Sequence, residues 1–258
     1  MKFNRRQTLI LAAAASAVGL CGLAPAQAAE GDMIDTAKLL APAGDIADKA
    51  EGNPEAPVTL IEYASPTCPH CAAFHVNVYP ELKAQYIDTG KVKFILRPFI
   101  RNVLDAAIFM LAEAAGDTNY HNVLSTFFRT QNTWGMSDKP RDALLDIAKQ
   151  LGFTQESFDA ALTNQDLYNG MEALRDQALN EFGLQGTPTF YVNGKTLTGD
   201  KSIEQLAAEI DPLVPADFAA PAASAPVAPA DAMAPADAMA PADAMAPADA
   251  MAPAAPAQ

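Results

Sequence analysis

Three cysteines and three histidines are all that this chain of 258 residues offers of the commonest zinc ligands. A structural zinc site takes four ligands, usually as two pairs. Beside Cys68 and Cys71 stand only Cys21 and the separate His75 and His121, which form no such pair, so a zinc site is not expected. Covalent haem attachment needs a histidine directly after the second cysteine, and Ala72 occupies that position. No metal and no cofactor is therefore expected. Positive charge is also short: 17 Lys and Arg against 31 Asp and Glu give a formal charge of −14. With no basic patch and no RNA-binding motif, nucleic acid is excluded as a partner. Beyond the apolar run at 9–23, no stretch is long and apolar enough to span a membrane. Residues 30–50 lack a long amphipathic segment, so no N-terminal dimerisation stalk is evident.

Both ends of the chain read as something other than folded domain. Arg5-Arg6, the apolar run at 9–23 and the Ala26-Gln27-Ala28 cleavage pattern form a signal peptide over 1–28, of either Sec or twin-arginine type. Cleavage near Ala28 would remove Cys21 and leave Cys68 and Cys71 as the whole cysteine content. It would also remove Lys2, Arg5 and Arg6, taking the charge from −14 to −14 − 3 = −17. The mature chain is expected in the periplasm, where disulfides form and persist. From residue 212 the composition collapses to Ala, Pro, Asp and Met, and Ala-Pro-Ala-Asp-Ala-Met repeats four times from Ala228 to Met251. Regular proline forbids helix and central strand, and Met alone is too little apolar surface to repay ordering. Residues 212–258 are expected to be a disordered, partly polyproline-II tail. Its methionines are soft ligands that would suit Cu(I); the simpler reading is a solvated spacer.

Between these ends, residues 30–52 form a short polar N-terminal extension and residues 53–211 a folded domain. The run 58–63 is rich in β-branched and aromatic residues and predicts a strand, followed by a helix over 72–87 and a second strand over 91–97. Residues 103–182 carry only helical patterns, five in number, which suggests an inserted helical subdomain. Asn193-Gly194 between 190–192 and 195–197 predicts a tight hairpin, and Ser202 caps a last helix reaching about 210. The order is α/β: two halves of a sheet with helices against them.

The chemistry gathers at Ser65-Pro66-Thr67-Cys68-Pro69-His70-Cys71. A CxxC where a strand gives way to a helix marks a thioredoxin-like redox dithiol. At a helix N-terminus, free N–H groups and the helix dipole favour a thiolate. Cys68 is thus read as the exposed nucleophile and Cys71, one turn later and more covered, as the resolving thiol. Pro69 suits the first turn, where its missing N–H costs nothing. His70 adds a donor or a positive charge beside the thiolate and so favours the reduced state, which makes the disulfide form an oxidant. A second constellation is Gly186-Thr187-Pro188-Thr189. Opposite the CxxC, Pro188 is expected in cis, with the backbone of Thr187 offered to an extended substrate peptide. The third is Glu62 within the first strand, on one side with Leu60 and Ala64. A carboxylate buried there could shuttle the proton of Cys71, with Lys93 or Arg97 as its cation.

Together the strand 58–63, Cys68-Pro-His-Cys71, the helical insertion and Gly186-Thr-Pro-Thr-Phe-Tyr-Val-Asn-Gly194 resemble the DsbA family of periplasmic thiol–disulfide oxidoreductases. The resemblance runs from about 54 to 210 and implies a thioredoxin-like fold with an inserted helical subdomain. It implies that Cys68, Cys71, His70, Pro188 and Glu62 carry the roles just given. It also implies reduced or unfolded exported proteins as clients and a quinone-linked membrane reoxidase of the DsbB type. Thr187 before the proline is similar to the isomerase and copper-tolerance relatives. That keeps a DsbC- or ScsC-like isomerase or reductase as the alternative, with a copper-binding or holdase module behind it.

Overall fold

The computed structural model describes residues 29–220, so the leader-like segment and the repeat tail lie outside the described residues. The chain enters through a short helix, α1 (Thr36–Leu39), and a two-residue strand, β1 (Ala50–Glu51). It continues through β2 (Val58–Ala64) and α2 (Pro69–Asn77), then α3 (Tyr79–Leu82) with a π-helical turn, Lys83–Ile87, and β3 (Val92–Pro98). The helical block comprises α4 (Val103–Ala114), α5 (Asp117–Arg129), α6 (Gln131–Trp134), α7 (Pro140–Gln150), α8 (Gln155–Ala161) and α9 (Gln165–Asn180). A hairpin of β4 (Thr189–Val192) and β5 (Lys195–Thr198) and a final helix, α10 (Ile203–Ile210), complete the domain. This is the thioredoxin-like α/β fold with helices inserted between its halves.

The sheet order is β1-β3-β2-β4-β5, with β2 and β3 parallel and the other pairs antiparallel. β2 is central, and period 2 divides it between two cores. Leu60 and Ala64 join Phe94, Phe109 and Phe128 on one side, while Ile61 and Tyr63 join Ile95, Leu174 and Tyr191 on the other. Because both faces are covered, the strand is a nearly continuous apolar run and not an alternating one. Asn193 (φ 44) and Gly194 (φ 95) take the left-handed conformations that a two-residue hairpin turn requires.

Three features differ from the expectations. The helix predicted over 72–87 is broken after Asn77, where Pro80 has no N–H to donate to the preceding turn. The block 103–182 holds a sixth element, α6, too short to show periodicity. Residues 30–52, expected outside the folded domain, are tied to both edges of its sheet. Gly31 N–H donates to Thr196 O and Ile34 N–H to Gly194 O, both at 2.8 Å, along β5, while β1 pairs with β3 at the opposite edge. Just before β1, Asp48 receives both Nε (2.7 Å) and Nη2 (2.6 Å) of buried Arg97, whose Nη1 donates to the Tyr63 hydroxyl at 3.0 Å.

Candidate functional site

Cys68 is the N-cap residue of α2, with Pro69 at the first helical position, so the thiol sits where the helix presents unpaired N–H groups. Its side chain was expected to be exposed. Instead Cys68 is only 3% exposed and Cys71 0%, because the loop before β4 lies across the pair. Cys68 Sγ is 3.2 Å from Thr187 O, and the Thr187–Pro188 bond is cis as anticipated. The two thiols are driven apart in acidity. Cys68 is pulled down to about 5, first by the hydrogen bond from the Cys71 thiol, then by Thr187 and the backbone N–H groups of Cys71 and His70, against the desolvation that opposes them. Thr187 meets the sulfur through its carbonyl, which accepts from the S–H, while its hydroxyl is buried with no hydrogen-bond partner among the described residues. Cys71 is pushed well up by burial, then by its bond to Cys68 and by the charge of Glu62.

His70 stands beside the pair, but its exposed ring turns to Asp200, with Nδ1 2.7 Å from the carboxylate. What His70 gives the sulfur in this arrangement is its backbone N–H. Glu62 is fully buried on the α2 side of β2, as its period predicted. Its expected cations are corrected: Arg97 is committed to Asp48 and Tyr63 on the other face, and Glu62 Oε2 instead meets His75 Nε2 at 2.9 Å. Odd and even residues of β3 face opposite ways, and Arg97 follows Ile95 to the face away from α2.

Several residues were missed by sequence reading. Asp105, on the first turn of α4 and fully buried, accepts from Ser65 Oγ (2.9 Å), Thr67 N–H (2.7 Å) and Arg101 N–H (2.8 Å). Arg101 Nε donates to Ser65 Oγ at 3.0 Å, and Asn102 Nδ2 to Thr67 Oγ1 at 2.9 Å. From α6, Gln131 Nε2 donates to Pro66 O (2.6 Å) and Cys68 O (2.9 Å). The approach to the nucleophile is thus clamped by the helical block. The only local cue was Asn102 as a helix cap, since it accepts from the Leu104 and Asp105 N–H groups.

The family model described as Thioredoxin matches residues 45–212. A curated relative, a putative protein-disulfide oxidoreductase of Rickettsia felis, is 36% identical over 168 residues, covering 64% of this chain and 59% of the relative. The chain thus spans about 59% of the length of that relative. A probable disulfide bond formation protein D of Bacillus cereus is 32% identical over 160 residues, 58% of this chain and 71% of the relative. Among solved structures, Wolbachia pipientis alpha-DsbA1 superposes with a TM-score of 0.64 at 30% identity, covering 69% of this chain and 96% of that one. A protein-disulfide isomerase from Novosphingobium aromaticivorans gives 0.57 at 25% identity, over 65% of this chain and 98% of that one.

Proposed function

This chain belongs to the thioredoxin family, and from that premise we propose that it is an exported protein-disulfide oxidoreductase that donates its Cys68–Cys71 disulfide to client proteins. The observation that carries this reading is the divergence of the two thiols, with Cys68 held at about 5 and Cys71 pushed well above the ordinary thiol value. A client thiolate attacks Cys68 Sγ, the S–S bond opens, and Cys71 leaves as a thiolate that takes up a proton. A second client thiolate then attacks the client sulfur of the mixed disulfide and releases Cys68. The best leaving group is the thiolate of lowest pKa, so this last step favours an oxidised client and a reduced enzyme. Two pH units between 5 and 7 correspond to roughly 2.7 kcal/mol. That is on the order of 60 mV toward oxidising.

The backbone of Thr187 beside Cys68 supports its role as a docking point for an extended client segment, with Pro188 shaping the loop and Pro69 and His70 shaping the helix start. Reduced or unfolded exported proteins are the clients, the periplasm is the compartment, and a quinone-linked membrane protein of the DsbB type is the reoxidant. The leader-like sequence over 1–28 supports the compartment, and among the described residues no helix is long and apolar enough to cross a membrane. Thr187 also suits the isomerase reading. Equilibration with glutathione separates the two: a potential toward about −120 mV is expected for a donor, whereas one near about −270 mV would assign reduction.

A further inference from the structure

The departure of Cys71 raises a problem that the oxidising reaction must solve. Its sulfur is fully buried and leaves as an anion in surroundings that strongly disfavour one. A proton has to reach it from inside the protein. On α2, His75 follows Cys71 by one turn, so both project from the same buried helix face. The ring of His75 is 1% exposed and pairs with Glu62, itself 0% exposed. Glu62 Oε1 and His75 Nδ1 are both buried and have no hydrogen-bond partner among the described residues. A buried carboxylate and imidazole with one unused atom each cost stability, and a purely structural pair would be expected to use them.

We propose that His75 is the proton reservoir of the buried thiol, acting through Glu62, so that each opening of the Cys68–Cys71 disulfide draws one proton along His75–Glu62–Cys71. This rests on the dithiol reading above and extends it. The step balances: imidazolium, carboxylate and Cys71 thiolate become neutral imidazole, carboxylate and Cys71 thiol. One N–H bond breaks, one S–H bond forms, and the carboxylate is regenerated. Because it acts through Glu62, His75 is a positioning residue and not a catalytic one. Its ring is fixed for this by the face of Phe128 from α5, stacked at 4.1 Å and 2°. The titratable and charged groups around it are Cys71 and Tyr79 from its own side, Glu62 from β2, His121 from α5, Glu51 from β1 and Lys83 beyond α3. Tyr79 lies 4.9 Å from the ring and its hydroxyl donates to Glu51, which Lys83 and His121 also approach. That cluster leads towards the surface, because the Lys83 side chain is 37% exposed, and it supplies the route by which the reservoir refills.

The test is a single-turnover reaction of the oxidised protein with a reduced dithiol peptide. His75→Gln keeps a donor for Glu62 but carries no transferable proton. It is expected to slow disulfide opening about a hundred-fold, the lower end for a positioned proton donor, while the thiolate absorbance of Cys68 is unmoved. The pH dependence of that step should flatten in the same variant. Glu62→Gln should give the same slowing, and the double variant no more than either alone, as required of two residues in one relay. A His75→Gln protein as fast as the parent, or a double variant slowed by the product of the two effects, overturns the proposal. Wild-type protein in D2O supplies a measurement that needs no variant: opening must be slower there, and an unchanged rate refutes the relay. If the parent protein itself exchanges no disulfide, the dithiol reading falls instead, and the two failures are distinct.

Discussion

At the scale of single residues the site is an exercise in making two chemically identical thiols unlike. The hydrogen bond from Cys71 is the largest influence holding Cys68 near 5. Cys71→Ala should therefore raise the Cys68 pKa towards the ordinary thiol value, read as thiolate absorbance against pH. His70→Ser should raise it less, since the ring is engaged by Asp200 and the backbone N–H survives the substitution. In trapping experiments Cys71→Ser should accumulate mixed disulfides with clients, whereas Cys68→Ser should form none; equal trapping would reverse the two roles. Cys68 also makes the stability of the reduced protein depend on pH. Its pKa is depressed on folding, from 9.0 to about 5, so the stabilisation is complete above pH 9 and lost as pH falls towards 5. Denaturant unfolding of reduced protein against Cys68→Ala should show a difference growing by about 1.4 kcal/mol per pH unit across that window.

At the scale of elements, what was legible in the sequence was whatever is decided locally. β2, the helix start at Pro69, the hairpin turn and the proline beside the pair all announce themselves through propensity, caps and turn chemistry. Illegible were the contacts that topology creates between distant segments. Glu62 was recognisably on the α2 side of its strand, but its partner was sought on the neighbouring strand and found on the helix. His75 lies on the same helix face as Cys71, yet nothing local says which strand residue that face meets. Asp105 and Gln131 meet the active-site loop from 38 and 63 residues away respectively, and no periodicity encodes that. Asp105 gives the element-scale prediction. Asp105→Ala strands donors on Ser65, Thr67 and Arg101. Thermal and denaturant unfolding should show a loss of at least ~3 kcal/mol, with Asp105→Asn retaining part of it.

At the scale of the whole molecule, the first stretch of the domain closes the structure. Arg97 is 1% exposed on its side chain and its charge is answered by Asp48. Asp48→Ala should cost roughly 3–5 kcal/mol, because it leaves a cation buried without its partner. Adding Arg97→Met should recover much of that loss, and equilibrium unfolding of the single and double variants decides it. A double variant no better than the single would show that Asp48 serves something other than this pairing.

The same closure governs how the molecule can meet an unfolded chain. Exposed strand edges are templates on which extended polypeptides add and aggregate. Here one edge strand is only two residues long, and the other, β5, is already paired by residues 31–34. An extended client of the proposed reaction would thus find no sheet edge to add to among the described residues. On that reading the client would be held by the brief backbone contact beside Cys68 and would be free to leave once the sulfur bond is resolved.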